Sequence, residues 1–226
     1  MLNINNTDIS RLFVDGVEID NAYLNGGLIY SKAEPFIATY QIDDISEPLT
    51  LPVAKDYTID WGDNVTTTTG NQHVYSTTGV KTVKMIGVVD DFRFANSGDK
   101  DKILTVEQGG GFVGFNGQQF RGCSNLTSVN ISGVSFFSAN FREIFSGCFS
   151  LVFVDLTGVG NIGGQMRFSF KATTSLLNIV GLQDLDTTSC QNFDATFINS
   201  AINQDVSNWD YSSAKTVLNF MANKSP

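Results

Sequence analysis

The chain has 226 residues, 16% of them charged, and its formal net charge is −9. An acidic chain lacks the basic stripe that attracts nucleic acid or anionic membranes, so we expect neither partner. No run of about 18 apolar residues occurs, and no basic segment followed by an apolar one lies near Met1. We therefore expect neither membrane insertion nor secretion. Low charge with 21 glycines and 18 phenylalanines favours β-strands and turns.

Residues 8–31 contain two predicted β-hairpins. The first turns at Asp15-Gly16 and the second at Asn25-Gly26-Gly27, and apolar residues flank both turns. These turns favour hairpins because Asn, Asp and Gly tolerate positive φ. Two short hairpins bury too little apolar surface to be stable alone, so we expect this segment to dock on a neighbour.

The same segment resembles the short N-terminal attachment modules of phage tail and virion proteins. The resemblance is carried by Val14, Gly16, Val17, Ile19, Ala22, Tyr23, Gly26 or Gly27, Ile29 and Tyr30. It implies that residues 1–32 bind other virion proteins. The alternative is a hairpin that caps the next domain, and the pattern leaves both open.

Residues 33–88 are predicted to form a small β-sandwich. Apolar residues alternate over 36–42 and 57–61, and a further strand covers 49–53, with its proline at an edge. The last strand lies near 80–85. Short strands at this spacing are typical of sandwiches.

This region resembles the polycystic-kidney-disease (PKD) domain family, which has an immunoglobulin-like fold. The resemblance implies a spacer or adhesion role without catalysis. We expect the only histidine to brace the turn before the last strand, because no second ligand for a metal and no nucleophile elbow stand near it. The two aspartates are interpreted as turn residues, with calcium binding as the alternative. The matching residues are Asp60, Trp61, Gly62, Asp63, His73, Tyr75 and Gly79, followed by the strand Lys81 to Ile86.

Residues 89–110 are interpreted as a connecting segment, in which a strand pattern resumes at Ile103. A repeat follows, with a period of 25 residues that shortens to 24 near the C-terminus. The aligned pairs at 25 residues are Phe120 with Phe145, Gly122 with Gly147, Cys123 with Cys148, Leu126 with Leu151, Val129 with Val154 and Ile131 with Leu156. Phe170, Leu176 and Ile179 continue the phase.

Each repeat is predicted to contain one helical turn, a loop and a short strand. An apolar residue stands four positions before the key phenylalanine in three repeats, as with Phe141 before Phe145, and this spacing places both on one helix face. A single rung of this kind cannot bury its apolar face, so about four rungs and a partial fifth must stack between residues 104 and 221.

The segments FRGCSNLTSVNI, IFSGCFSLVFVDL and DTTSCQNFDATFINSAINQDVSNWDYSSAKTVLNFM resemble the BspA-like leucine-rich repeat family. The resemblance implies that residues 111–226 form a solenoid, that Phe193 and Phe197 occupy the positions of the family's Met and Phe, and that Trp209 is a core residue at a strand position. It also implies a surface that binds a host glycan or protein. The rung near Gly158–Met166 departs from the family pattern.

No chemistry-bearing constellation emerges from the sequence, so we expect neither an enzyme nor a cofactor. A GxGxxG match at Gly109, Gly111 and Gly114 lacks a following amphipathic helix and a βαβ context. Cys123 and Cys148 should lie side by side in adjacent rungs as buried thiols, with a disulfide as the open alternative.

The sequence thus predicts a mainly β chain with a short N-terminal β-hairpin module, a PKD-like sandwich and a leucine-rich-repeat solenoid with short helical turns. Val217 and Met221 of the last rung would face outwards, so we expect a partner or self-association to cover them. The order of anchor, spacer and display predicts a structural phage virion protein of the tail fibre, tail tip or capsid surface, assembled in the host cytoplasm. The alternative is a BspA-like adhesin on a bacterial surface.

Overall fold

A computed structural model of the chain describes residues 34–112, 115–134 and 140–221, together with the backbone of short strands within residues 3–31. The protein is mainly β, as predicted from the sequence. The described residues include one 3₁₀ helix, Leu182–Asp184, and no helix among them is long and apolar enough to cross a membrane. The strands are β1 (Asn3–Ile4), β2 (Thr7–Asp8), β3 (Phe13–Val14), β4 (Val17–Glu18), β5 (Asn21–Leu24), β6 (Gly27–Ser31), β7 (Phe36–Ile42), β8 (Leu49–Thr50), β9 (Thr58–Asp60), β10 (Thr66–Thr67), β11 (Gln72–His73), β12 (Gly79–Ile86), β13 (Ile103–Gly109), β14 (Ser128–Asn130), β15 (Phe153–Asp155) and β16 (Asn178–Val180).

The N-terminal strands form three separate antiparallel pairs, β1–β2, β3–β4 and β5–β6. The second and third pairs are the two hairpins that the sequence predicts, whereas β1–β2 was not foreseen. The described strands of this segment pair only with each other. Gly16, Ile19 and Gly26 of the attachment pattern lie outside the described residues, and so do the side chains of this segment.

One eight-stranded sheet runs through the rest of the chain in the order β10-β9-β12-β7-β13-β14-β15-β16. Strand β13 pairs antiparallel with β7 on one side and parallel with β14 on the other. It therefore joins the antiparallel part of the sheet directly to the parallel, repetitive part. A separate two-stranded ladder, β8–β11, adds Leu49 to the same buried core.

The repeat period sets the register of the parallel strands. Val129 pairs with Val154, and Val154 pairs with Ile179, each step being 25 residues. Behind the strands, phenylalanine rings stack at centroid distances of 5.6, 5.5 and 5.3 Å. This column consists of Phe120, Phe145, Phe170 and Phe197, all of them fully buried.

A second group of aromatic rings joins this column to the antiparallel part of the sheet. Phe92 lies 4.8 Å from Phe36 and 5.9 Å from Phe120, measured between ring centroids. Ring pairs at such distances add to the free energy of area burial. A single buried cluster therefore extends from β7 to Trp209.

The predicted helical turn in each rung is wrong, although its inward-facing residues are correct. Phe141 and Phe145 are both buried, but the segment between them consists of successive β-turns, and Glu143 has a φ of 55°. The N–H groups of Phe141, Glu143 and Phe145 donate to carbonyls of the next rung, each at 2.9 Å. A helix would direct those N–H groups along its own axis, so bonding between rungs excludes it.

The hydroxyl group of Tyr40 is buried in this core and has no hydrogen-bond partner. Burial and, to a lesser degree, the neighbouring Cys123 raise the pKa of Tyr40. An unpaired buried hydroxyl loses its hydration without compensation. Tyr40→Phe is therefore expected to leave the free energy of unfolding unchanged or raise it by about 1 kcal/mol, as measured by urea denaturation. A loss above about 1 kcal/mol would show that the hydroxyl does have a partner.

Candidate functional site

The Trp61 motif forms a closed cluster at the end of β9. The His73 ring stacks on Trp61 at 5.1 Å between centroids, and Tyr75 meets it edge-on at 4.6 Å. The Tyr75 hydroxyl donates to the Trp61 carbonyl at 2.8 Å, and the Trp61 indole N–H donates to the Thr67 hydroxyl at 3.0 Å. These bonds fix the turn, so the predicted role of His73 as a brace fits its surroundings.

Asp63 completes this cluster. The Nε2–H of His73 donates to its Oδ2 at 2.7 Å, and the Val65 N–H donates to its Oδ1 at 3.3 Å. Burial acts to raise the pKa of Asp63, but the hydrogen bond from His73 and the attraction between the two side chains bring that pKa below its ordinary value. Asp60 accepts a bond from the Gly62 N–H at 3.0 Å. Both aspartates are thus turn residues.

This pair predicts a pH-dependent stability. Because folding lowers the pKa of Asp63, its contribution is fully present above about pH 4 and is lost as pH falls through the folded-state pKa. Asp63→Asn should lower the free energy of unfolding by about 1 kcal/mol at pH 7 and by less at pH 3, as measured by urea denaturation. In a His73→Gln background the pH 7 effect should shrink. An equal loss at both pH values would contradict this assignment.

The described residues contain no group of three or more His, Cys, Asp or Glu side chains that could hold a metal ion. The most acidic cavity, of about 390 Å³, lies beside β7 and β8. Its Asp99 is already paired with Lys102 at 3.2 Å and accepts the Thr50 N–H at 2.7 Å. Gly109 lies in β13, where a Cβ would come within 2.6 Å of the Ile131 side chain, and Gly114 lies outside the described residues.

The repeat-derived motif residues are all buried, so none of them is available to a ligand on the surface. Cys123, Cys148 and Cys190 are free thiols, and burial raises the pKa of each. The Cys148 thiol donates to the Phe120 carbonyl at 2.9 Å, so it acts as a packing residue and not as half of a disulfide. Leu126, Leu151, Phe193 and Phe197 are likewise fully buried.

Trp209 closes the core, but it does not lie on a strand as the resemblance implied. Its ring packs against Phe197 at 5.9 Å and Phe220 at 6.0 Å between centroids, and its indole N–H donates to the Leu182 carbonyl at 2.8 Å. The neighbouring Asp210 N–H donates to the Thr187 hydroxyl at 2.8 Å. Polar turn residues therefore surround Trp209 because they fasten a core tryptophan to the preceding rung.

The strand ladder ends at a side chain that sequence reasoning missed. Gln204 reaches Ile179 of β16, where its Oε1 accepts the Ile179 N–H at 2.7 Å and its Nε2 donates to the Ile179 carbonyl at 3.0 Å. The amide thus replaces the next strand. Unpaired strand edges promote aggregation, and Gln204 closes this one.

Gln204→Ala would leave both backbone groups of the buried Ile179 without a partner. We expect a loss of about 1–3 kcal/mol in the free energy of unfolding, measured by urea denaturation. Gln204→Glu keeps the acceptor and removes the donor, so its loss should be intermediate. Asn208→Ala, at an exposed position in the same segment, is the control and should change little. Equal stability of all three variants would contradict this role of Gln204.

The rungs also carry exposed apolar side chains that neither motif predicted. Phe149, Val152 and Leu177 lie on the corner that precedes strands β15 and β16. These positions fall between the buried ones of each repeat, and a spacing pattern that marks the core carries no signal for them. This corner is the candidate binding surface of the repeat.

Three comparisons extend beyond the chain itself: no protein-family model, no curated protein and no solved structure matches it. The function therefore has to be argued from the arrangement of the chain's own residues.

Proposed function

We propose that this chain is a non-enzymatic virion protein of a phage, a component of the tail fibre, tail tip or capsid surface. In this proposal residues 1–32 attach the chain to other virion proteins, the region with the Trp61 motif is a PKD-like spacer, and residues 111–226 are a BspA-like leucine-rich-repeat solenoid. The solenoid displays a surface to a host glycan or protein.

The pairing of the N-terminal strands is the observation that carries the proposal. Strands β1 to β6 form two-stranded ladders and, among the described residues, none joins the eight-stranded sheet. Two-stranded ladders are marginal on their own in water. A segment of this kind gains stability from a neighbouring surface, as an attachment element would.

The sheet that follows suits a spacer and display unit. Strand β13 bonds the antiparallel part to the parallel part without a break in the ladder, and the buried aromatic cluster runs through both. Such continuity resists bending between the two parts because bending would break ladder bonds and separate packed rings. An element that presents a surface away from a particle needs this stiffness.

The repeat region supports the BspA-like assignment through its stacking. Its strands pair in parallel at a period of 25 residues, and its phenylalanines stack rung on rung. The described titratable groups form no acid–base pair on this surface: Asp155 and Asp186 accept backbone N–H bonds from residues two positions on, Thr157 and Thr188. Binding without catalysis is the activity that this arrangement fits best.

Localisation in a purified particle tests the proposal. Antibody labelling seen by electron microscopy should place the chain on the virion. A variant that lacks residues 1–31 should fold, with circular dichroism unchanged beyond the loss of those residues, but should be absent from particles. Labelling of bacterial surfaces and no virion signal would favour the BspA-like adhesin. Normal incorporation of the truncated variant would contradict the anchor.

A further inference from the structure

The corner of the repeat that precedes each strand is free of charge over four rungs. It comprises residues 124–127, 149–152, 174–177 and 200–203, which read SNLT, FSLV, TSLL and SAIN. The rest of the chain carries enough carboxylates to give a net charge of −9. Two such chains repel each other unless they meet where charge is absent.

Three apolar side chains stand exposed in the middle of this corner. Phe149 is 52% exposed, Val152 41% and Leu177 70%. Val152 and Leu177 are neighbours, because the Leu177 N–H donates to the Val152 carbonyl at 3.0 Å. An exposed group of large apolar residues surrounded by polar ones is characteristic of an association surface.

The outermost position of each rung forms a column with a symmetric pattern. The Val152 N–H donates to the Thr127 carbonyl at 2.8 Å, which places Thr127 beside Val152. Asn203 holds the matching position of the fourth rung, and both Thr127 and Asn203 are exposed. The column therefore reads polar, apolar, apolar, polar from Thr127 to Asn203.

We propose that this corner binds the same corner of a second copy of the chain. A two-fold axis between the second and third rungs places Val152 of one copy against Leu177 of the other. The same axis places Thr127 against Asn203 of the second copy, where a hydroxyl meets an amide. An isologous contact needs such a self-complementary surface. The inference does not depend on a virion role.

Sedimentation analysis of the full chain over a concentration series tests the contact. The wild type should show a dimer, and Leu177→Asp should raise the dissociation constant at least about 100-fold, because each copy loses an apolar contact and gains a charge. Leu218→Asp is the control: Leu218 is 68% exposed but lies on the last rung. A wild type that stays monomeric, or a dimer that only Leu218→Asp dissociates, would overturn the proposal.

A charge pair tests the register. Thr127→Asp alone should weaken the dimer by repulsion from the acidic second copy. Adding Asn203→Lys should restore it at low ionic strength, since each introduced carboxylate would then face an introduced ammonium group across the axis. Both positions are exposed, so each variant should unfold like the wild type in urea. No rescue by Asn203→Lys, in variants that fold normally, would overturn the two-fold arrangement.

Discussion

Replacing Phe145 by alanine is expected to lower the free energy of unfolding by about 3–5 kcal/mol. Phe145 is fully buried, and its ring stacks between Phe120 at 5.6 Å and Phe170 at 5.5 Å. The substitution removes a large apolar side chain and leaves a cavity in the middle of the column. Both neighbouring rings lose a stacking partner as well, so the loss should lie in the upper part of that range.

Urea denaturation followed by tyrosine and tryptophan fluorescence measures this loss. Phe149→Ala is the matched control, because Phe149 lies in the same rung but is exposed. Its effect on a monomeric sample should stay within about 0.5 kcal/mol. Because one buried cluster links both parts of the chain, Phe145→Ala should also shift a single transition and not split it in two. A separate early transition would contradict a shared core.

Gly62→Ala is expected to destabilise the protein by about 2–4 kcal/mol. Gly62 has a φ of +79°, and a Cβ built on it would lie 2.2 Å from the Thr82 carbonyl oxygen in β12. The side chain would therefore be strained by its own backbone conformation and would also push a ladder strand away. The turn that holds Trp61 and His73 cannot yield without breaking the ring cluster around it.

Gly70→Ala separates the two contributions. Gly70 has nearly the same φ, +77°, but nothing lies within 4 Å of a Cβ built there. Its loss should be only the conformational cost, about 1–2 kcal/mol. The difference between the two variants in urea denaturation reports the steric clash in β12. Equal losses would mean that the clash with Thr82 is relieved without cost.

The positions of the core were predictable because the burial pattern is periodic along the chain. Phe120, Cys123, Leu126 and their equivalents 25 residues on are all buried. Trp209 was identified as a core residue within a polar segment for the same reason. A one-dimensional repeat contains this information, since each rung must supply the same inward-facing side chains.

The backbone conformation of each rung was not predictable from the same pattern. Two inward-facing residues four apart fit a helical turn and a pair of β-turns equally well. The choice depends on whether N–H groups bond within the rung or to the next one, about 25 residues away. Positive φ at Gln118, Glu143 and Phe168 belongs to the second solution, and these residues are not ones that favour it by themselves.

By itself the sequence determined the mainly β character, the two N-terminal hairpins, the 25-residue register and the buried side of each rung, because all four follow from local turn preferences and apolar spacing. The tertiary structure alone decided that β13 joins both parts in one sheet, that Gln204 ends the strand ladder and that an uncharged corner is exposed. These features depend on partners far apart in the chain, and a hydrogen bond between Gln204 and Ile179 leaves no trace in spacing or composition.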